Sequence, residues 1–212
     1  MAEINLLPAG IRREHPPRQV QSLYLDTHEM DALHDNLAGN AEKEKLRFRW
    51  YGAETESVQG SIERKIRING MGWKYQLPVD QKLAVTGVSK KKFMACLQDH
   101  LTPQWRTLLD PGMEPSHWIT YRREYLITAD SQVRLTIDHH IMSANQLFCS
   151  RLSAPSLNTY SGLTIVECKA VYSKHPALQA LINEFPMAVE KCSKYALTAT
   201  HDPAFGNLIL PV

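Results

Sequence analysis

Lys45-Leu46-Arg47-Phe48-Arg49-Trp50-Tyr51 alternates polar and apolar side chains without a break, and this stretch decides how the chain is read. A period of two marks a β-strand whose two faces meet different surroundings. Here one face is Lys45, Arg47, Arg49 and Tyr51, and the other is Leu46, Phe48 and Trp50. The division continues outward along the chain. Ser61, Glu63, Lys65 and Arg67 oppose Ile62, Ile66 and Ile68, and the next strand adds Lys74 and Gln76. Nearer the C-terminus come Tyr121 with Arg123, then Arg134, Thr136 and Asp138 against Val133, Leu135 and Ile137, and finally Glu167 with Lys169. A half-buried strand ordinarily shows solvent a mixture of Thr, Ser, Gln, Lys and Glu, so a cationic bias repeated on strand after strand needs a cause.

The other elements follow from period and punctuation. Val20 to Asp26 reads as a strand, and Thr27 is placed to cap a helix carrying Met30, Leu33 and Leu37 that Gly39 stops. Val58 to Ile68 and Trp73 to Val79 read as strands around the turn Asn69-Gly70-Met71-Gly72, whose Gly-x-Gly lacks the third glycine and the helix of a dinucleotide fingerprint. Ser89 caps a helix with Phe93, Met94, Leu97 and Leu101, followed by a short segment from Pro103 to Leu109 and a turn at Asp110-Pro111-Gly112. Further strands are predicted over His117 to Ile127, Gln132 to Ile141 and Thr164 to Val171, with a long loop from Ser150 to Gly162. A helix starting at Pro176 carries Leu178, Leu181, Ile182 and Phe185, and a short one spans Ser193 to Thr200. The class is α+β with mostly antiparallel connections.

Composition narrows the function. The 212 residues carry 24 basic and 22 acidic side chains, a net +2 that gives no bulk attraction to nucleic acid or to a membrane surface. No linker-like tract divides the chain, so residues 1–212 read as a single domain. No apolar run approaches the roughly 18 to 20 residues of a membrane span, and no export leader is evident. Cys96, Cys149, Cys168 and Cys192 form no C-x-x-C pair, so neither a zinc site nor a disulfide framework is expected, and a cytoplasmic location fits. His139 and His140, adjacent on a strand, are expected to point to opposite faces and not to form a metal pair. Trp50, Trp73, Trp105 and Trp118 read as packing residues, not base-stacking platforms.

The helices need apolar surface, and the Leu, Phe, Trp and Ile strand faces supply it. The charged faces are then directed away from the helices and line the interior if the sheet closes into a barrel. Two like charges about 4 Å apart repel by roughly 4 kcal/mol at an effective dielectric near 20, which an elongated polyanion would relieve. Phosphate chains suit this surface because Arg forks bind phosphate oxygens in pairs and Lys adds point charges. Glu63, Asp138 and Glu167 could hold a divalent cation on the same phosphates or pair with neighbouring cations, and for Asp138 the ion pair is the expectation.

Tyr24-Leu25-Asp26-Thr27, Lys45 to Tyr51, Glu63-Arg64-Lys65, Tyr121-Arg122-Arg123, Arg134 to Asp138, Val166-Glu167-Cys168-Lys169 and Lys191-Cys192-Ser193-Lys194-Tyr195 resemble, in order, the motifs of the VTC domain. That is the polyphosphate polymerase domain of the vacuolar transporter chaperone family, which has bacterial stand-alone relatives. The resemblance runs from about Val20 to Thr200. It implies a triphosphate tunnel metalloenzyme: an antiparallel β-barrel with helices packed outside and a basic lumen that takes triphosphates with Mn2+ or Mg2+. By motif match, Arg47, Arg49, Lys65, Arg123 and Arg134 resemble the catalytic lumen cations. Lys45, Lys74, Tyr121, Lys169, Lys191, Ser193 and Lys194 resemble phosphate-binding residues, and Glu167 and Glu63 metal-binding carboxylates. Glu3-Ile4-Asn5 resembles the family's opening strand with Asn5 where a lysine stands, and the N-terminal region is shortened. The implied activity is transfer of the γ-phosphoryl group of ATP or another nucleoside triphosphate onto phosphate or polyphosphate. Hydrolysis of tripolyphosphate or a nucleoside triphosphate, with Glu63 orienting water, and polyphosphate binding without turnover are the alternatives. No nucleic acid partner is implied.

Overall fold

The computed structural model describes residues 9–109, 112–156, 160, 162–185, 188–190 and 192–201. Nine strands alternate with helices among these residues: β1 (Arg12–Asp26), α1 (Asp31–Leu37), β2 (Glu42–Tyr51), β3 (Ser57–Val58), β4 (Ser61–Ile68), β5 (Met71–Pro78), β6 (Leu83–Ala84), α2 (Lys90–Asp99) and α3 (Pro103–Leu108). They are followed by β7 (Glu114–Ile127), β8 (Arg134–Asn145), β9 (Ile165–Lys169), α4 (His175–Glu184) and α5 (Lys194–Thr200). Seven strands form one sheet in the order β5-β4-β2-β1-β7-β8-β9, while β3 and β6 pair separately. The pairings β1–β2, β2–β4, β4–β5 and β8–β9 are antiparallel. The α+β class read from the sequence therefore holds. No described helix is long and apolar enough to cross a membrane, and the four cysteines are free.

The chain divides into two compact units, and the division falls inside β1, β7 and β8. The larger comprises residues 20–120, 142–159 and 193–212. Its core takes the apolar faces of the strands, with Leu23 and Leu25 of β1, Leu46, Phe48 and Trp50 of β2 and Ile62 of β4 all buried. Helix α2 covers them with Phe93, Met94 and Leu97, and its Ser89 hydroxyl accepts a hydrogen bond from the Lys92 amide as the cap requires. Phe93 meets Phe48 edge-on at 5.8 Å, and Trp50 meets Trp118 at 5.1 Å. Each such side chain removed from water is worth about 1.5–3 kcal/mol, which fixes the strand faces in the orientation the alternation demanded. Trp105 packs partly buried against the same cluster, whereas Trp73 on β5 is 42% exposed.

The smaller unit comprises residues 1–19, 121–141 and 160–192. Val133 and, from β8, Leu135 and Ile137 pack with Leu126, Val166 and Cys168 against Ala177, Leu178, Leu181 and Phe185. Thus α4 covers the apolar face of β8, and Arg134, Thr136 and Asp138 lie on the other face.

Three local expectations change. First, β1 begins at Arg12 instead of Val20, so the stretch before Val20 is strand; its exposed residues and Pro16-Pro17 hide the alternation that identifies the buried half. Second, Val58 to Ile68 is not one strand. Gly60 interrupts it, and a Cβ there would stand 2.5 Å from the Arg49 carbonyl oxygen and 2.7 Å from the Phe48 ring. Third, the start of α1 is held mainly by Asp26. Its carboxylate accepts from the amides of Thr27, Ala32 and Leu33 at 2.9–3.1 Å, while the Thr27 hydroxyl accepts from the Asp31 amide at 3.1 Å. Asp26 also accepts from the Tyr195 hydroxyl at 2.6 Å and is fully buried. Burial raises its carboxyl above the usual range, against the pull of the Tyr195 and amide hydrogen bonds. The turn expected at Asp110-Pro111-Gly112 lies partly outside the described residues.

Candidate phosphate-binding faces

Register places the cationic side chains of the larger unit in rows. Tyr24 of β1 stands opposite Arg47, Arg47 opposite Glu63, and Glu63 opposite Gln76. One step away along the strands, Ser22 is opposite Arg49 and Arg49 opposite Ser61. In the other direction Lys45, Lys65 and Lys74 form a row of three lysines across β2, β4 and β5. All six residues that the sequence singled out on these strands, Lys45, Arg47, Arg49, Glu63, Lys65 and Lys74, share this face.

Glu63 is the hub of the buried end. Its carboxylate meets Arg47 at 2.6 and 2.8 Å, Lys74 at 2.7 Å and Arg49 at 3.6 Å, and the side chain is 2% exposed. Burial alone would raise its pKa, but Arg47, Arg49 and the Lys74 contact outweigh burial and bring it down to about 2. Three cations thus meet the oxygens of Glu63, the carboxylate for which the resemblance implied a metal. The second guanidinium, Arg49, donates to the Ser22 hydroxyl at 2.9 and 3.2 Å. Gln76 donates to the Ser61 hydroxyl at 2.9 Å.

The adjoining row holds Lys45, Lys65 and Lys74. Burial pulls the Lys45 ammonium down to about 8, opposed by Tyr24 and reinforced by Lys65, Lys43 and Arg47. Lys45 donates to the Ser193 hydroxyl at 2.8 Å, so Ser193, which also caps α5 by accepting from the Ala196 amide, is tied to β2. Lys194 is the first residue of α5, and Lys191 lies outside the described residues, as do Glu3 and Asn5. Tyr24, which the strand pattern alone does not mark, stands in the same row as Arg47. Its hydroxyl accepts from Arg47 at 3.1 Å, and its ring stacks on Tyr195 at 4.7 Å. Burial raises the Tyr24 phenol, yet Arg47, Arg49 and Lys45 overcome that and lower it to about 8.

The smaller unit carries its own charged face. Arg134 is opposite Lys169, and Thr136 opposite Glu167. Asp138, fully buried, accepts from Nε and Nη2 of Arg123 at 2.6 and 2.7 Å, the ion pair expected for it. The guanidinium, whose pKa is raised against the cost of burial by Asp138, Tyr121 and Glu167, lies 5.2 Å from the Tyr121 ring centroid. The carboxylate of Glu167 is 3.1 Å from Lys169 and 4.0 Å from Arg123, with its side chain 37% exposed. His139 and His140 depart from expectation. A left-handed backbone at His140 (φ 51°) breaks the alternation, and the two rings meet edge-on at 4.7 Å, with His139 3.3 Å from Glu124.

The VTC domain family matches residues 5–200. The chain belongs to that family. The α+β arrangement of sheet and helices described above is thus that of a VTC domain. No curated protein matches the sequence. Among solved structures, this VTC domain is similar to a protein from Hippeastrum named as an adenylyl cyclase and described by a dominant triphosphatase activity. The TM-score is 0.46 at 15% identity over 87% of this chain and 83% of that one.

The resemblance implies a divalent metal, so the donor set of this VTC domain bears on it. Among the described residues no group of three or more His, Cys, Asp or Glu side chains is arranged to hold one. Glu167 differs from Glu63 and Asp138 in keeping part of its carboxylate open to solvent. A single open carboxylate fits Mg2+-like binding, in which one or two carboxylates are completed by water and substrate phosphate oxygens.

Proposed function

We propose that this VTC domain transfers the γ-phosphoryl group of ATP or another nucleoside triphosphate onto phosphate or a growing polyphosphate chain. The observation that carries this reading is the charge balance of the face shared by β2, β4 and β5. Glu63 meets Arg47, Arg49 and Lys74 there, and Lys45 and Lys65 stand on the same face. Five cations gathered on one face attract an elongated anion. Phosphoryl transfer asks mainly for positioning and stabilisation of charge on non-bridging oxygens, and these cations can supply both. In the smaller unit Arg134, Lys169, Tyr121 and Arg123 are assigned to the same task. Glu167 would hold Mn2+ or Mg2+, which when bound neutralises charge on the substrate phosphates. Hydrolysis is the second choice, because it asks for a carboxylate to orient water and Glu63 is held by three cations.

Incubation with ATP and Mn2+, with products resolved as polyphosphate, free phosphate or neither, tests the proposal. Polyphosphate supports it, free phosphate alone replaces it with hydrolysis, and tight chain binding with no product leaves a binding module.

The Tyr24–Lys45 pair adds a pH dependence. As pH rises through about 8, Lys45 loses a positive charge and Tyr24 gains a negative one, and both changes repel an anion. Tripolyphosphate affinity should therefore fall between pH 7 and pH 9.5, with proton uptake on binding near pH 8. Titration calorimetry in buffers of different ionisation enthalpy reads both quantities. The fall should be shallower in Tyr24→Phe, which removes the phenol's share; identical profiles for the two proteins would contradict the assignment.

A further inference from the structure

The cationic face does not end at the lysine row. Register puts Lys43 directly opposite Arg67, one step beyond Lys45 and Lys65 on the same face of β2 and β4. Opposite Arg67 on β5 is Gly72, which brings no charge of its own. The carboxylates nearest in sequence, Glu42 and Glu44, fall on the other face by alternation, and Glu44 is held there by Arg64 at 2.6 Å through both oxygens.

Burial falls along these strands. At the Arg49 end the side chains are buried around Glu63, whereas Lys65 and Arg67 are exposed. Lys43 is half-buried and reaches the Asn36 carbonyl at 3.5 Å, which leaves its charge in place. Lys45 stands opposite Lys65 and Lys43 opposite Arg67, so like charges face each other in two successive rows, an arrangement that a bound anion relieves. The field is felt locally: Lys43 and Lys65 both contribute to holding the Lys45 ammonium below its usual range. Rows two residues apart are separated by roughly 6.8 Å along a strand, so the Lys43–Arg67 row lies about 20 Å from the Arg49 row.

We propose that Lys43 and Arg67 form an additional subsite for the phosphates of a long linear polyphosphate, beyond those a triphosphate places on the lysine and arginine rows. The subsite rests on the reading of this face as a phosphate site and extends it to chain length. It recognises repeated phosphate charge at a fixed distance from the Arg49 row, so it discriminates long chains from tripolyphosphate and not one nucleotide from another.

The test is a double variant, Lys43→Ala with Arg67→Ala, compared with the wild type and with Lys91→Ala/Lys92→Ala. The control removes the same charge from exposed positions of α2. Binding of tripolyphosphate and of long-chain polyphosphate is measured by calorimetry at several salt concentrations, and folding is checked by thermal melting. The expected result is a loss of about five- to tenfold for the long chain with less than a twofold change for tripolyphosphate. The salt dependence should drop by roughly one to two counterions for the long chain only. The control variant should behave as wild type toward both ligands. Equal losses for both ligands, no loss for either, or the same loss in the control would overturn the subsite. Failure of the underlying phosphate reading looks different, because the wild type itself would then bind neither ligand.

Discussion

Replacing Glu63 with glutamine is expected to lower the stability of the ligand-free protein by about 3 kcal/mol, because it removes the carboxylate that Arg47, Arg49 and Lys74 share. Linkage gives the same magnitude. The carboxyl titrates at about 2 in the folded chain and 4.5 outside it, so the shift is worth roughly 3 kcal/mol. Because the folded value is the depressed one, that stability is present above pH 4.5 and is lost as pH falls toward 2. The variant should therefore melt roughly 6–12 °C lower at neutral pH, and its stability should vary less between pH 4.5 and 2 than that of the wild type. Polyanion binding should move the other way. With Glu63 neutralised, the face should bind tripolyphosphate more tightly, and saturating ligand should recover part of the lost melting temperature. A variant as stable as wild type, with unchanged affinity, would show that the ion pairs at Glu63 carry no net energy.

The second large effect is expected at Glu167. Glutamine keeps the side-chain shape but removes the charge that a hard divalent cation needs, so turnover with Mn2+ should fall by at least about a hundredfold. Chain binding without metal should persist or tighten, since a negative charge leaves the neighbourhood of Lys169 and Arg123. Metal-dependent turnover that survives the substitution would reduce Glu167 to an ion-pair partner of Lys169.

Both variants act on residues that the sequence marked, and the contrast between them shows where sequence reading stops. Alternation told which side chains share a face, because a one-residue error would have put Phe48 and Trp50 in water. It could not tell which cation each carboxylate would meet. Glu63 and Glu167 look alike as members of basic strands, yet Glu63 is 2% exposed among three cations while Glu167 keeps an open side. Cross-strand register decides that, and register depends on turns and breaks such as Gly60, whose need for a missing Cβ arises from Phe48 and the Arg49 carbonyl twelve and eleven positions earlier. The exposed half of β1 stayed hidden because its side chains and prolines carry no period. Tyr24 and Lys43 gain meaning only from their neighbours: three cations lower the Tyr24 phenol to about 8, and Arg67 stands opposite Lys43.

The most direct test of the central claim, that the Lys- and Arg-bearing face of β2, β4 and β5 is a linear-phosphate site, is calorimetric titration of tripolyphosphate and orthophosphate into wild type and two single variants. Lys65→Ala removes an exposed cation from the lysine row, and Arg49→Ala removes a buried one. The account predicts that tripolyphosphate binds at least tenfold more tightly than orthophosphate, since charge-assisted contacts of about 1.5–3 kcal/mol each accumulate along the chain. It also predicts that each variant, still folded by circular dichroism, weakens tripolyphosphate at least about threefold for Lys65 and tenfold for Arg49. Equal affinity for the two anions, or variants that bind tripolyphosphate as the wild type does, would contradict it.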